Sequence, residues 1–355
     1  MDKIRVVITD DSSLARGLLR EFIATTDDIE VVGEAGNGRQ AVDLVQELHP
    51  DLVTMDLEMP VMNGMEAIAE IMCTKAVPIL VVSSVADAHI ALEAVSRGAL
   101  EVVAKPSYTS VDAADFVAKV RLLAGVSVIT RPRTRNNGQT AGAGMPLPVL
   151  APPSGDIAQR VFAIAASTGG PQALAEILPA LPAGFPCPVL IAQHIADGFA
   201  DGMVEWLGGL CRLPVRLAAE GERLQAGVIY ISPSEHHATV TPQRLIALVA
   251  RGPHDIYHPS CDLLLTSVAK VFGSQAVGII LTGMSSDGAK GIARIRAKGG
   301  MTLAQDEASS VIFGMNRVAI EAGSVQQVLP LGVIAVTMTQ LAAPWYMTSS
   351  AGVTP

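Results

Sequence analysis

The stretch Val161-Phe162-Ala163-Ile164-Ala165-Ala166-Ser167-Thr168-Gly169-Gly170-Pro171 decides the fold: an apolar run, a serine, two glycines and a proline. A short apolar run without alternation reads as a strand buried on both faces, as in a parallel sheet. Pro171 suits the first position of a following helix, where a missing N–H costs nothing. Two later segments repeat the plan. The apolar run 189–192 leads into Gln193-His194-Ile195, and the run 277–281 leads into Thr282-Gly283-Met284-Ser285-Ser286-Asp287-Gly288. If the three strands are neighbours, their carboxyl ends bring Ser167, His194 and Asp287 to one rim, where open α/β sheets place their sites. A serine hydroxyl needs a base to become a nucleophile, and an imidazole needs a carboxylate to fix its tautomer, so this is the inventory of a Ser-His-Asp hydrolase.

Taken singly, each residue has a plainer reading: Ser167 as a helix cap, His194 as a structural strand-end histidine, Asp287-Gly288 as a turn. Their conjunction favours the site. The chain order Ser, His, Asp differs from the Ser, Asp, His order of α/β-hydrolases, and Ala165-Ala166-Ser167-Thr168-Gly169 lacks the first glycine of that fold's elbow motif. Ser167 to Gln172 matches neither G-x-G-x-x-G nor a P-loop. Helices are expected after Pro171, Phe199, Pro259 and Asp287. An all-β interlude is expected over 215–249, with hairpin signals at Gly227, Pro233-Ser234 and Thr241-Pro242. The four histidines His236, His237, His254 and His258 read as surface groups or supports of the site, with no metal-binding spacing among them.

Residues 1–125 show a second set of strand and helix alternations. Strands are predicted at 4–9, 29–33, 52–55, 79–82 and 101–104, and helices from near Ser13, Gly38, Gly64, Ala86 and Val111. Five such units make a doubly wound parallel sheet. Its carboxyl edge collects Asp10, Asp11, Asp56, Ser83 and Lys105. Adjacent carboxylates are costly without a cation, and hard oxygen ligands suit Mg²⁺, which together with Lys105 would neutralise a phosphoryl group arriving on a carboxylate. Asp10-Asp11 alone would be an acidic turn and helix cap.

Between the two parts, residues 126–156 are rich in Pro, Gly and Arg and bury too little apolar surface to fold, so they read as a flexible linker. The expected organisation is α/β throughout: a five-stranded parallel domain at 1–125, the linker, and a doubly wound hydrolase domain with a β-hairpin insertion at 157–345. Half of the 355 residues are apolar and only 4% are aromatic, as parallel α/β layers require. The net charge of −9 argues against a nucleic-acid binder. The N-terminus enters a strand without a signal-like apolar region, and no apolar stretch approaches the ~20 residues of a membrane span, so a cytoplasmic protein without membrane insertion is expected. Cys73, Cys187, Cys211 and Cys261 are far apart and read as thiols.

The first domain resembles the receiver domain of bacterial response regulators, at Asp10-Asp11, the run from Met55-Asp56 to Asn63-Gly64, Val82-Ser83-Ser84 and Ala104-Lys105-Pro106. The resemblance implies phosphorylation of Asp56, Mg²⁺ held by Asp10, Asp11, Asp56 and the Glu58 carbonyl, a switch hydroxyl on Ser83 and a phosphate partner in Lys105. Where receivers usually carry an aromatic switch residue this chain has Val102, which argues against aromatic rotamer switching. The second domain resembles the catalytic domain of the chemotaxis protein-glutamate methylesterases, the CheB family. The matches are Ser167 to Pro171, Gln193-His194, Pro233, His258 to Asp262, Leu281 to Met284 with Asp287-Gly288, and Gln305-Asp306. Ser285-Ser286 departs from the glycine common in that spacer. The resemblance implies phosphorylation-regulated hydrolysis of glutamate γ-methyl esters, and often deamidation of glutamines, on chemoreceptor helices, with a histidine kinase as phosphodonor. It assigns Ser167 as nucleophile, His194 as base and acid, Asp287 as its orienter and the Met284 N–H as an oxyanion donor, with no cofactor for ester hydrolysis. Two other classes, a non-catalytic response regulator and one with a DNA-binding output, fit less well: the triad set is complete, and no basic terminal module is present. A tethered receiver is expected to restrain the catalytic domain until Asp56 is phosphorylated.

Overall fold

The structure, a computed structural model, describes residues 3–84, 88–106, 110–128, 160–252 and 255–342. The linker, except residues 126–128, lies outside the described residues, as do Ala86 and His254. The chain divides into two compact units. One holds the elements before the linker together with Ala196–Trp206, and the other holds the rest of the described chain after the linker.

In the first unit, β1 (Ile4–Thr9), β2 (Ile29–Ala35), β3 (Leu52–Met55), β4 (Ile79–Ser83) and β5 (Glu101–Ala104) form one parallel sheet ordered β2-β1-β3-β4-β5. Helices α1 (Ser13–Ile23), α2 (Gly38–Leu48), α3 (Gly64–Thr74), α4 (Ala88–Ser96) and α5 (Ser110–Ala124) alternate with the strands, as the sequence predicts. Side-chain caps start the first three. Ser12 caps α1, Asn37 caps α2, and Asn63 with Glu66 forms a capping box on α3. The chain reverses its direction of winding between β1 and β3, and Asp10 and Asp56 follow those two strands.

The second unit is built on a seven-stranded parallel sheet ordered β14-β13-β12-β6-β7-β9-β8. Its strands are β6 (Val161–Ala166), β7 (Val189–Gln193), β8 (Val215–Leu217), β9 (Ile229–Ile231), β12 (Ala276–Ile280), β13 (Met301–Gln305) and β14 (Gln327–Leu329). Central strands β6, β7 and β12 are buried at every position, which is why they read as unbroken apolar runs. From β6 the chain winds one way through β7 and β9, and from β12 the other way through β13 and β14, so the crevice at the carboxyl ends of β6 and β12 is the switch point. Helices α6 (Gly170–Ile177), α8 (Cys261–Phe272) and α9 (Ala289–Ala297) start where expected, as does α7 (Ala200–Leu210), whose residues up to Trp206 belong to the first unit. The sequence reading named neither α10 (Met315–Glu321) nor α11 (Leu331–Ala342).

The interlude over 215–249 is all-β, as expected, but two of its three hairpin signals, Gly227 and Pro233-Ser234, need correction. Only β10 (His236–Val240) and β11 (Ile246–Ala250) form an antiparallel hairpin, turned at Thr241-Pro242. The segment through Gly227 is a crossover, because β8 and β9 pair in parallel and join the main sheet. Ile229-Tyr230-Ile231 is wholly buried, the signature of an interior parallel strand rather than a half-exposed hairpin arm.

Candidate active site

The backbone ladders that end β6, β7 and β12 place the three predicted residues. The Ser167 N–H donates to Thr282 O at 3.1 Å and the His194 N–H to Ala166 O at 3.0 Å, so the loops leave the sheet side by side. Gly283 packs against the serine: a Cβ there would lie 2.6 Å from the Ser167 Cβ and 2.4 Å from Met315 Sδ. Gly169, at φ 77°, turns the chain into α6, and Ser167 itself is buried. Gln193, quoted in the sequence only as a neighbour of the histidine, ties the two loops together. Its Nε2 donates to Ser167 O and to His194 O, each at 2.8 Å.

His194 and Asp287 meet directly, with Nε2 2.9 Å from Asp287 Oδ2. The carboxylate has three more donors. Cys261 N–H reaches Oδ2 at 2.7 Å, while Asp262 N–H and Ser260 Oγ reach Oδ1 at 2.9 and 3.2 Å. Two of these are the first amides of α8, capped by Ser260, so a helix N-terminus points at the anion. Burial works against the charged form of Asp287, but the hydrogen bonds from His194 and the α8 end outweigh it, and its carboxyl lies below the usual range. Asp262 completes an exchange between helices. It accepts from Gly288 N–H at 2.9 Å and Gly291 N–H at 2.7 Å, at the start of α9. Burial raises the Asp262 carboxyl.

The Asp287 bond occupies His194 Nε2, which leaves Nδ1 as the ring nitrogen not engaged by the carboxylate. Tyr257 stacks on the imidazole, with ring centres 5.2 Å apart and planes 8° from parallel. Cys261 Sγ lies 3.4 Å from Nε2 and donates to Ala192 O at 3.3 Å. Burial, reinforced by Asp287, pushes this thiol well above its ordinary value, so it stays protonated. His194, Cys261 and Asp287 offer donor atoms within 4.8 Å of one another, but the four donors on Asp287 and the protonated thiol make this a hydrogen-bonded network rather than an open ligand set. Met284 is exposed on the loop beyond Gly283, and the Gly283 N–H is committed to Ile312 O at 3.0 Å. Ser285 steadies that loop by accepting from Asp287 N–H at 3.2 Å. Gln305, at the end of β13, supports it from behind by accepting from Thr282 N–H at 2.9 Å.

The receiver edge gathers its predicted residues as well. Lys105 Nζ lies 2.9 Å from Asp10 Oδ2 and 3.0 Å from Asp56 Oδ2. Burial raises the Asp56 carboxyl, and Asp10 adds to the shift against the opposing pull of Lys105. Lys105 is itself held above its ordinary value, where its bonds to Asp10 and Asp56 outweigh the cost of burial. Ser83 is buried beside this group, with Lys105 N–H donating to Ser83 O at 2.8 Å. Glu58 is exposed, and Val102 is buried in the sheet. Asp10, Asp11 and Asp56 offer oxygens within 4.8 Å of one another. Such an all-oxygen set fits Mg²⁺. Only glycine fits at position 64, where a Cβ would lie 2.1 Å from Asp56 O.

Fold and site together define a response-regulator enzyme, in which a receiver domain precedes an α/β hydrolase domain. Residues 162–338 match the CheB methylesterase family, and residues 6–119 match the response regulator receiver domain. A protein-glutamate methylesterase/protein-glutamine glutaminase of Paramagnetospirillum magneticum is 56% identical over 345 residues, 96% of each chain. One from Myxococcus xanthus is 42% identical, over 92% of this chain and 91% of its own. The crystal structure of the Thermotoga maritima CheB methylesterase catalytic domain matches with TM-score 0.50 and 33% identity, covering 51% of this chain and 98% of that one. The chain belongs to the CheB family of receiver-linked protein-glutamate methylesterases.

Proposed function

We propose that the protein hydrolyses glutamate γ-methyl esters on chemoreceptor helices, and deamidates glutamines there, through Ser167, His194 and Asp287. The 2.9 Å bond between His194 Nε2 and Asp287 Oδ2 carries this reading. His194 Nδ1 takes the Ser167 proton as Oγ attacks the ester carbonyl carbon. The tetrahedral intermediate collapses to a serine ester as His194 returns the proton to the leaving methoxide, releasing methanol. Water, deprotonated by the same nitrogen, then attacks the acyl-enzyme and frees a glutamate carboxylate and Ser167. With a glutamine substrate the leaving group is ammonia. The Met284 N–H would serve as an oxyanion donor, as the family resemblance implies, while the Ser167 and Gly283 amides are committed to Thr282 O and Ile312 O.

Regulation acts through phosphorylation of Asp56 by the pathway's histidine kinase. Asp10, Asp11, Asp56 and the Glu58 carbonyl would hold Mg²⁺, which supplies charge neutralisation for the incoming phosphoryl group. Lys105 bonds two of these carboxylates and would pair with the phosphoryl oxygens, to which Ser83 would offer its hydroxyl. Among the described residues no helix is long and apolar enough to cross a membrane. The enzyme would work in the cytoplasm and meet its receptors from outside the bilayer. The test is methanol release from methylated receptor membranes. Ser167→Ala should lower it by ~10⁴-fold or more while the protein stays folded. Wild-type turnover in that variant refutes the assignment.

A further inference from the structure

His237 has no place in the reaction above, yet it is buried and bonded at both ring nitrogens. The Ser260 N–H donates to Nδ1 at 2.8 Å, and a backbone amide can only donate. Nδ1 is therefore unprotonated. Nε2 carries the hydrogen and gives it to Asp255 Oδ2 at 2.9 Å. Asp255 also accepts from Gly252 N–H at 2.6 Å. One imidazole on β10 thus grips both ends of the segment 255–260. The middle of that segment presents Tyr257 to the face of His194, and its far end presents Ser260 Oγ to Asp287 Oδ1.

We propose that His237 is a positioning residue for catalysis, holding the 255–260 strap so that Tyr257 sets the plane of His194 and Ser260 with the α8 amides sets the donors on Asp287. The proposal rests on the triad reading. Among the described residues the His237 ring bonds only to the strap, at Asp255 and Ser260, so its effect must pass through Tyr257 and Ser260. Losing strap contacts loosens the stacked ring and removes donors from Asp287. An Asp287 with fewer donors keeps more negative charge at Oδ2, which stabilises the His194 imidazolium. Among the described residues the ionisable groups facing His194 are Asp287, Cys261 and Tyr257, and two of the three sit on or next to the strap.

The experiment uses full-length protein and methylated receptor membranes, measuring kcat, KM and the pH profile of kcat/KM. His237→Leu keeps the volume but neither hydrogen bond, and it should lower kcat by on the order of 10²-fold, the scale of a misplaced reacting group, with KM nearly unchanged. Its acid limb should move to higher pH. His237→Gln offers both an acceptor and a donor and should recover most of the rate. Folded His237→Leu protein with wild-type kcat and acid limb overturns the proposal, as does equal damage from Leu and Gln with no movement of the limb. If His237→Leu fails to fold, Asp255→Ala cuts the strap at its half-exposed end. It must then lower kcat and move the limb, and an unchanged rate overturns the proposal. Ser167→Ala run alongside separates the two ideas, since turnover in that variant removes the triad reading itself rather than the role of His237.

Discussion

Gly170 opens α6, where helix propensity alone says that alanine would stabilise the chain by up to ~1 kcal/mol. The site says the opposite. A Cβ at residue 170 would lie 1.9 Å from Gln193 Oε1 and 2.8 Å from its Cδ, with the Ala166 Cβ at 2.9 Å closing the other side. Oε1 is buried, so the Gln193 amide has no open space in which to step back and must swing out of its seat. That breaks the two 2.8 Å bonds to Ser167 O and His194 O. Two buried hydrogen bonds at ~1 kcal/mol each, plus the cost of stranding their acceptors, give about 2–4 kcal/mol of net destabilisation. The same movement frees the backbones of Ser167 and His194, the proposed nucleophile and base, and a shift approaching 1 Å costs ~10²-fold in turnover. Gly170→Ala should therefore lower both the unfolding temperature of the catalytic domain and the rate of methanol release. In a Gln193→Ala background the glutamine clash is gone and only the Ala166 Cβ at 2.9 Å remains, so adding Gly170→Ala should cost much less than it does in wild type. A Gly170→Ala single variant as stable and active as wild type refutes the argument, and so does a Gln193→Ala background that leaves the penalty in place.

Asp287→Asn should cost ~10⁴-fold in rate by favouring the wrong histidine tautomer. It should also destabilise, since either amide orientation sets an NH₂ against a backbone N–H of Cys261 or Asp262, which chemical denaturation with methanol-release kinetics would detect. Because the Asp287 carboxyl is lowered in the folded state, its stabilisation is present above the ordinary carboxylate value and lost as pH falls through the lowered folded one; acid unfolding of wild type should show that loss, and Asp287→Asn should not. Val61 sits at φ 69° in a three-residue turn closed by Met62 N–H to Pro60 O at 2.8 Å, and it is exposed. Relieving a β-branched residue there with Val61→Asn should stabilise the receiver by about 1 kcal/mol, read by thermal unfolding. Mg²⁺ at 100 times its Kd should stabilise the receiver by about 2.7 kcal/mol, and Asp11→Ala should abolish the shift. Without a cation, the raised Asp56 carboxyl favours the fold at acid pH, and that contribution fades as pH rises through the folded value, so the benefit of Mg²⁺ should grow from acid to neutral pH.

The parts legible in the sequence are those whose signal is local. Val161–Ala166 and Val189–Gln193 announce themselves because every position is buried, and the residues just past such strands lie at a sheet's carboxyl edge whatever the strand order. Hence Ser167, His194, Asp56 and Lys105 could be named. Strand β9 was misjudged because Ile229-Tyr230-Ile231 looks the same whether its neighbour runs parallel or antiparallel, and only the distant pairing with β7 settles it. Edge strand β14 begins with two exposed residues and offers no apolar run to find. The supports of the site were hidden for a related reason. Tyr257 stacks on His194 and His237 bonds Asp255 and Ser260 across loops, and nothing in the spacing points to those partners. A serine before an apolar run does mark the α8 cap, so Ser260 carried a usable sign.

Two carboxylates explain why the loop after β12 can carry an aspartate at all. A buried Asp287 with one histidine partner would be an expensive anion. Here α8 and α9 exchange acids: Asp287, preceding α9, takes the first amides of α8, and Asp262, in the first turn of α8, takes the Gly288 and Gly291 amides at the start of α9. Each helix end thus neutralises the acid supplied by the other, and each acid satisfies amides that a helix start leaves orphaned. The shifts of the two carboxyls separate their roles. Asp287 is held below its ordinary value as the permanent anion beside His194, whereas burial raises Asp262, which serves the helix junction. The Asp287 carboxylate is therefore fixed by the exchange of hydrogen bonds between the starts of α8 and α9, and its lone pairs are aimed before any substrate arrives. A site arranged this way has little reorganisation left when the imidazolium forms, and that is where preorganised dipoles contribute most to rate.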